Sequence, residues 1–416
     1  MTTIQLKPKK EESLLRQHPW VFSGAISKIT LDKNYPYDQP QEGELVRVVG
    51  SDQRILGVGH WQIGSIAVRI LEFGSDRLSA RFWNDRIRAA YQVRRSLGLV
   101  RYPDRISSSQ DPRINNTYRL IHGEGDFLPG LIVDIYAETA VVQAHSIGMH
   151  LMREQIAQAI VDEVDEVEKV YYKSDDTLPY KAEIEGSKTG WLIPGDADDI
   201  QDTKEFWATE NGLDFRIDWL NGQKTGFFVD QRENRMLLER YAQGKDVLNM
   251  FCYTGGFSLY ALRGGAKSVD SVDVSEKAVE LVKRNVEHNF PDANHHHAYA
   301  REAFEYMAET KDKYDLIILD PPAFAKHRDA IKNALRGYQR LNAKGIEAVR
   351  KGGILFTFSC SQAIDKEMFR LAVFSAAAQV GRKVRILHQL HQPQDHPINI
   401  YHPEGEYLKG LVLQVE

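Results

Sequence analysis

The residues best placed for chemistry fall at the ends of short apolar runs in the second half of the chain. Cys360 closes the run GGILFTFSC and is flanked by Ser359 and Ser361. Asp320 closes YDLIILD and is followed by Pro321 and Pro322. Two prolines cannot continue a hydrogen-bonded ladder, so the chain must turn away there and leave the carboxylate at the strand tip. A third end, in DVLNMFCYTGGFSLY from Asp246 to Tyr260, carries the pair Gly255 and Gly256. Strand, glycine turn and helix together cradle phosphates and nucleotides, because glycine admits positive φ and lets a ligand lie against bare backbone. Asn249 and Tyr253 belong to the same candidate cradle. Asp273 ends SVDSVDV, and an acid about 20 residues after such a turn can hold a ribose diol. Plainer readings exist for each. Two glycines also make an ordinary turn, and a lone cysteine is usually a small buried hydrophobe. The spelling matches neither G-x-G-x-x-G nor the phosphate-loop Gly-Lys-Ser/Thr.

Bringing these ends together requires a parallel sheet. From about residue 206, strands and helices alternate: DVLNMF (246–251), SVDSVDV (268–274), YDLIILD (314–320) and GGILFTFS (352–359). Helices are predicted over 257–263, 275–289, 328–350 and 365–380. This pattern predicts an α/β, doubly wound, Rossmann-like domain over 206–416, with ligands outside the carboxyl ends of its strands. Upstream, LVRVVG, ILGVGHW and IAVRILEF are short, β-branched and bounded by turn residues, which predicts a small β domain over 1–75. Residues 78–97 carry Phe82, Ile87, Ala90, Val93 and Leu97 at helical spacing. Two strand-like runs in YRLIHGEGDFLPGLIVDIYAETAVVQA, a helix over 149–164 and the strand VEKVYYKSD then complete a middle α+β domain, 76–200. The polar stretch PGDADDIQDTKE (194–205) reads as a linker.

Of the 416 residues 42% are hydrophobic, an ordinary share for chains with full cores. No apolar run approaches the ~18 residues of a membrane span, and the first residues lack the apolar segment of a secretion signal. Two cysteines in the whole chain argue against a disulfide framework and for a reducing cytoplasm. Their spacing suits no metal, and His295 to His297 read as a polar loop, so no metal is expected. The net charge is −5, yet residues 81–119 hold nine arginines: Arg81, Arg86, Arg88, Arg94, Arg95, Arg101, Arg105, Arg113 and Arg119. Interleaved with Phe82, Trp83, Tyr91, Tyr102 and Tyr118, they suggest contact with phosphates and bases.

DVLNMFCYTGGFSLY resembles the first motif of class I S-adenosylmethionine (SAM) methyltransferases, with Phe251 and Tyr253 where two glycines usually stand. Residues 1–75, with HPWVFSGAI at His18 to Ile26, resemble an RNA-binding PUA domain. Taken in order, HPWVFSGA, DFLPG (126–130), KTGFFVDQR, NMFCYTGGFSL, SVDVS, DPPAFAK, FSCS and HPEGEYLKG are similar to the bacterial 23S rRNA cytosine-C5 methyltransferases of PUA–EEHEE–methyltransferase architecture. The resemblance spans nearly the whole chain and is strongest in its last 200 residues. Ala323 stands where many members have lysine, and KSDDTLPYKAEIEG (173–186) lacks an arginine- and glutamate-rich segment.

The resemblance implies SAM as methyl donor. Lys224, Phe227, Asp230, Gln231 and Arg232 of KTGFFVDQREN would complete its pocket with Asn249, Tyr253, Gly255, Gly256 and Asp273. Glu302 would lie beside the adenine amine. Asp320 would border the cofactor and orient the base, and Cys360 would be the nucleophile. The substrate would be 23S rRNA in the cytoplasm, with no membrane, and a homodimer is compatible with this reading. Two other functions stay open: a methyltransferase acting on a ring nitrogen of guanine, which needs no Cys360, and a non-catalytic RNA assembly factor that retains SAM.

Overall fold

The structure, a computed structural model, describes every residue except 103–110, 112–113, 180–187, 194–204 and 326–327. Arg105, Arg113 and nearly all of the expected linker lie outside the described residues. Two compact units divide the chain. The first comprises Met1–Thr209, Ile217–Phe227 and Gln394–Gly405; the second comprises Glu210–Arg216, Phe228–Pro393 and Glu406–Glu416.

In the first unit, strands Thr3–Leu6, Trp20–Phe22, Ile26–Thr30, Leu45–Val49, Ile55–Trp61 and Ile66–Phe73 form one six-stranded sheet. Alternation along Thr3–Leu6 and Leu45–Val49 turns Ile4, Leu6, Val46 and Val48 into its core. Gly59 lets the last two strands close up, since a Cβ there would stand 2.1 Å from the Arg69 carbonyl oxygen. A second sheet holds Thr117–His122, Leu131–Tyr136, Thr139–Ala144, Lys169–Lys173 and Thr189–Ile193. Residues 117–144, read as two strand runs, thus contain three. Their second turn is made by Ala137 at φ +51°, a position that no glycine or asparagine announces. Helices Phe82–Ser96 and Arg153–Glu163 bury Ile87, Tyr91, Ile156 and Ile160 with Leu120, Val133, Val142 and Val170 of this sheet.

The side chains of helix Phe82–Ser96 correct the reading of its arginines as phosphate contacts at Arg94. Arg94 is fully buried, with both oxygens of Asp126 accepting from its guanidinium. It also donates to the carbonyls of Arg119 at 2.8 Å and Asp395 at 2.7 Å. Arg88 grips Glu163 at 2.6 and 2.7 Å, Arg86 reaches Glu72 at 2.9 Å, and Arg95 lies 3.6 Å from Asp165. The guanidinium fork suits carboxylate as well as phosphate, and here carboxylates of the same unit take it.

The second unit is organised by a seven-stranded sheet. We label its strands β1 (Asp246–Met250), β2 (Ser268–Asp273), β3 (His296–Ala300), β4 (Tyr314–Leu319), β5 (Val349–Ser359), β6 (Val384–His391) and β7 (Lys409–Val415). Their order is β3-β2-β1-β4-β5-β7-β6. The first five run parallel, and β7 runs antiparallel to β5 and β6. The four strands expected from the sequence, β1, β2, β4 and β5, are parallel, and β7 adds an antiparallel strand beyond them. The His295–His297 stretch is corrected, because it leads into β3, where His296 Nε2 meets Ser271 Oγ at 2.9 Å. Helices α1 (Arg232–Ala242), α2 (Gly256–Arg263), α3 (Glu276–Asn289), α4 (Ala303–Ala308), α5 (Ile331–Ala348) and α6 (Lys366–Val380) flank the sheet. Val247, Leu248, Ile317 and Phe356 are fully buried within it.

The two classes of arginine contact differ in their expected energetics. Asp126→Ala strands a fully buried guanidinium and should destabilise the protein by about 3–5 kcal/mol. Arg95→Ala removes a pair whose side chains are 59% and 76% exposed and should cost about 0–1 kcal/mol. Urea unfolding followed by circular dichroism measures both; similar midpoints for the two variants would contradict the assignment.

Candidate active site

Between β1 and α2 the backbone enters the left-handed region three times, at Phe251 (φ +58°), Tyr253 (φ +45°) and Gly255 (φ +81°). The two residues standing where glycines were expected thus keep the glycine conformation, at a cost of roughly 1–2 kcal/mol each. Gly255 cannot be enlarged, because a Cβ there would lie 2.9 Å from Val282 Cγ1 of α3. The turn is tied down on every side. The Cys252 N–H donates to the Val272 carbonyl at 3.1 Å, and Asn285 Nδ2 donates to the Thr254 carbonyl at 2.9 Å. The Tyr253 N–H donates to Asp273 Oδ2 at 3.1 Å, while Asp273 Oδ1 accepts the Ser275 N–H at 3.0 Å. Asp273 is held half-buried at the end of β2, with its carboxylate fixed by the turn itself.

These residues fit SAM. Asn249 is 1% exposed; its Nδ2 donates to Ser258 Oγ at 2.9 Å, but its Oδ1 has no hydrogen-bond partner among the described residues. A buried acceptor without a donor is costly, and an amino group at the turn would satisfy it. The Asp273 carboxylate, an acceptor at the end of β2, has the chemistry to take hydroxyl donors such as those of a ribose. Glu302 is exposed and caps α4, its Oε2 accepting from the N–H groups of Phe304 at 2.7 Å and Glu305 at 3.2 Å.

KTGFFVDQREN straddles the two units. Lys224 and Phe227 lie in the first, and Asp230, Gln231 and Arg232 in the second. Within the second unit, Gln231 Nε2 donates to Asp320 Oδ2 at 3.0 Å, and Asn234 Nδ2 donates to Gln231 Oε1 at 2.7 Å. Asp230 Oδ2 accepts from the Tyr407 hydroxyl at 2.7 Å. Arg232 is 1% exposed. Arg235, one turn on, makes a buried two-pronged bond to Glu210 at 2.8 and 2.7 Å. Asn234 and Tyr407 had no assigned role in the sequence reading, although the i, i+3 spacing of Gln231 and Asn234 places them on one helix face.

Asp320 and Cys360 leave adjacent parallel strands. Leu319 is in register with Thr357, so Asp320 and Cys360 are offset by two residues, roughly 7 Å along the strand direction. Ser359 and Ser361 are fully buried, whereas Cys360 between them is half-buried. Ser361 anchors this strand end. Its Oγ accepts the Ala325 N–H at 3.2 Å and meets the Tyr338 hydroxyl at 2.9 Å, and its carbonyl accepts from Lys409 Nζ at 2.6 Å. Cys252 is different: it is 5% exposed, and burial, reinforced by the Asp273 charge, pushes its thiol well above the ordinary range. Of the two cysteines, Cys360 is the accessible one.

Among the described residues, His18, His402 and Glu404 of the first unit have ligand atoms mutually within 4.8 Å. His18 Nδ1 accepts the Trp20 N–H at 3.2 Å, which places the ring proton on Nε2, the atom facing Glu404 at 3.9 Å. That tautomer cannot also offer Nε2 to a cation.

Comparison with known proteins agrees with this architecture. The S-adenosylmethionine-dependent methyltransferase family matches residues 192–403, and a PUA-like domain matches residues 4–73. A ribosomal RNA large subunit methyltransferase I of Aeromonas salmonicida is 36% identical over 418 residues, covering 99% of this chain and 98% of the relative. The protein of the same name from Tolumonas auensis is 37% identical, covering 99% of each. Among solved structures, a SAM-dependent methyltransferase of Streptococcus mutans shares the fold over the full length of both chains, with a TM-score of 0.78 at 21% identity. A methyltransferase structure determined with S-adenosylhomocysteine gives the same values. A PUA-like domain, a methyltransferase sheet and relatives alike from end to end place the chain in one family: it belongs to the SAM-dependent ribosomal RNA large subunit methyltransferases I.

Proposed function

We propose that this chain methylates C5 of a cytosine in 23S rRNA through a covalent adduct with Cys360. The observation that carries this reading is the pairing of strand ends. A half-buried thiol and a carboxylate end neighbouring strands, while the second cysteine is sealed in the core. C5 of cytosine is a weak nucleophile. Addition of the Cys360 thiolate to C6 forms an S–C6 bond and moves electron density to C5. SAM, when bound, supplies the methyl group as an electrophile. After C5 has taken the methyl, a base removes the C5 proton, the C5–C6 double bond re-forms and the thiolate leaves. Asp320, steadied by Gln231 and through it by Asn234, presents a carboxylate to the pyrimidine edge. The base must leave its stack to reach this cleft.

The rest of the proposal concerns the division of labour. The methyltransferase portion, 206–416, holds SAM through Asn249, Tyr253, the glycine pair and Asp273, with Glu302 beside the adenine. Asp230, Gln231 and Arg232 border that pocket. Residues 1–75 and 76–200 hold the RNA, with the PUA-like sheet carrying more of the contact than the arginine helix, whose side chains are engaged by acids. The enzyme works in the cytoplasm, and a homodimer is compatible with it.

Two measurements test this reading. Asp273→Ala should weaken SAM binding by roughly 1.5–3 kcal/mol, the scale of lost hydrogen bonds to a charged group. Calorimetry that finds unchanged affinity in the folded variant removes Asp273 from the site. Cys360→Ala should abolish methyl transfer and leave SAM and RNA binding intact, while Cys252→Ala should stay active. RNA carrying 5-fluorocytosine should remain joined to the wild-type protein, because no C5 proton can be removed. Methylation by Cys360→Ala at near wild-type rate would exclude the adduct and favour the guanine ring-nitrogen reading.

A further inference from the structure

Lys409 has no role in the mechanism above, yet it is buried beside the nucleophile. It is the first residue of β7, and the antiparallel register sets it directly opposite Ser359 at the end of β5. The side chain is 7% exposed, and its Nζ donates to the Ser361 carbonyl at 2.6 Å. An ammonium has three protons to place and cannot stay charged in the interior without a counter-charge. Three groups face it with negative charge: Cys360 most strongly, then Glu406 and Asp365. Both acids are exposed and engaged elsewhere. Asp365 caps α6 by accepting the Met368 N–H at 2.8 Å, and Glu406 lies 3.9 Å from Lys366. Tyr338, a titratable group that also faces Cys360, is buried with its hydroxyl 2.9 Å from Ser361 Oγ. Among the described residues, the partner of Lys409 that is not exposed and can supply negative charge is the half-buried sulfur of Cys360.

We propose that Lys409 is the positioning residue for Cys360: its ammonium holds the sulfur as thiolate before addition to C6 and stabilises it again when it leaves. This rests on Cys360 being the nucleophile. The Ser361 carbonyl fixes the direction of the amine, and the β5–β7 ladder fixes its height along the strand, so the charge does not depend on a mobile loop. Burial brings the lysine down to about 8, close enough to neutrality for its charge to respond to the charge on sulfur. A thiolate keeps the amine protonated and a protonated amine keeps the thiolate, so the two groups titrate as a pair.

The test reads the sulfur directly. Full-length wild type, Lys409→Gln and Lys409→Arg are alkylated with iodoacetamide between about pH 6 and 10, and modification of Cys360 is followed by peptide mass spectrometry. Lys409→Gln removes the charge and leaves a shorter polar side chain with an N–H donor. Its alkylation midpoint should move up by about one to three pH units, the effect of a near opposite charge, and Lys409→Arg should restore the wild-type midpoint. Binding of S-adenosylhomocysteine by calorimetry verifies folding; should Lys409→Gln fail it, Lys409→Met takes its place. Superimposed wild-type and charge-removed profiles in folded proteins overturn the proposal, because a purely structural lysine leaves the thiol's pH response unmoved. The two levels separate cleanly. A shifted profile with an active Cys360→Ala enzyme sinks the covalent reading and keeps the lysine–sulfur coupling. An unshifted profile with an inactive Cys360→Ala enzyme does the reverse.

Discussion

In a parallel sheet every strand must be followed by a crossover that returns the chain to the starting edge, so all the carboxyl ends gather on one side. That constraint decides where the second unit can do chemistry. β1 delivers the left-handed turn, β2 delivers Asp273, β4 delivers Asp320 and β5 delivers Cys360. No long-range recognition between these segments is needed to bring them together. The hydrogen-bond register does it, and hydrophobic burial on both faces of the sheet holds the register. The antiparallel β7 follows a different rule. Because it enters from the opposite direction, its first residue rather than its last reaches the functional edge, and that residue is Lys409.

The turn after β1 shows how local strain is sustained. Phe251 and Tyr253 occupy backbone conformations that side chains disfavour, and Gly255 occupies one that they do not tolerate there. Bonds from Asp273, Asn285 and the β2 backbone fix the loop. The same carboxylate that is suited to ribose hydroxyls therefore also shapes the loop beside it. Under the role proposed for Asp273, cofactor affinity and loop geometry are coupled through one side chain, which is the kind of over-determination that strained functional turns require.

Much of this was legible in the sequence, for identifiable reasons. β4 and β5 carry the apolar runs LIIL and ILF, the signature of strands covered on both faces, β1 and β2 are short segments bounded by turn residues, and Pro321 and Pro322 mark a strand end without ambiguity. β6 was not legible, because VRILHQLH lies at the sheet edge with five of its eight residues exposed, so burial imposes no pattern on it. β7 opens with Lys409 and Gly410, residues that read as a loop until the partner strand is known. The arginine run did not announce the ion pairs within it, because composition reports charge and not partners. Asp126 lies 32 residues from Arg94 and Glu163 lies 75 from Arg88, separations at which only the fold decides who meets whom. The hydrogen bond from Gln231 to Asp320 spans 89 residues and was out of reach for the same reason.

The central claim is that the methyl group is placed on carbon 5 of a cytosine in large-subunit RNA. It is tested most directly by mass spectrometric mapping of modified nucleosides in 23S rRNA from cells with and without this gene. The account predicts one 5-methylcytidine that is present with the gene, absent without it, and restored by wild type but not by Cys360→Ala. Loss of a methylated guanine instead, or an unchanged set of modified nucleosides, would contradict it.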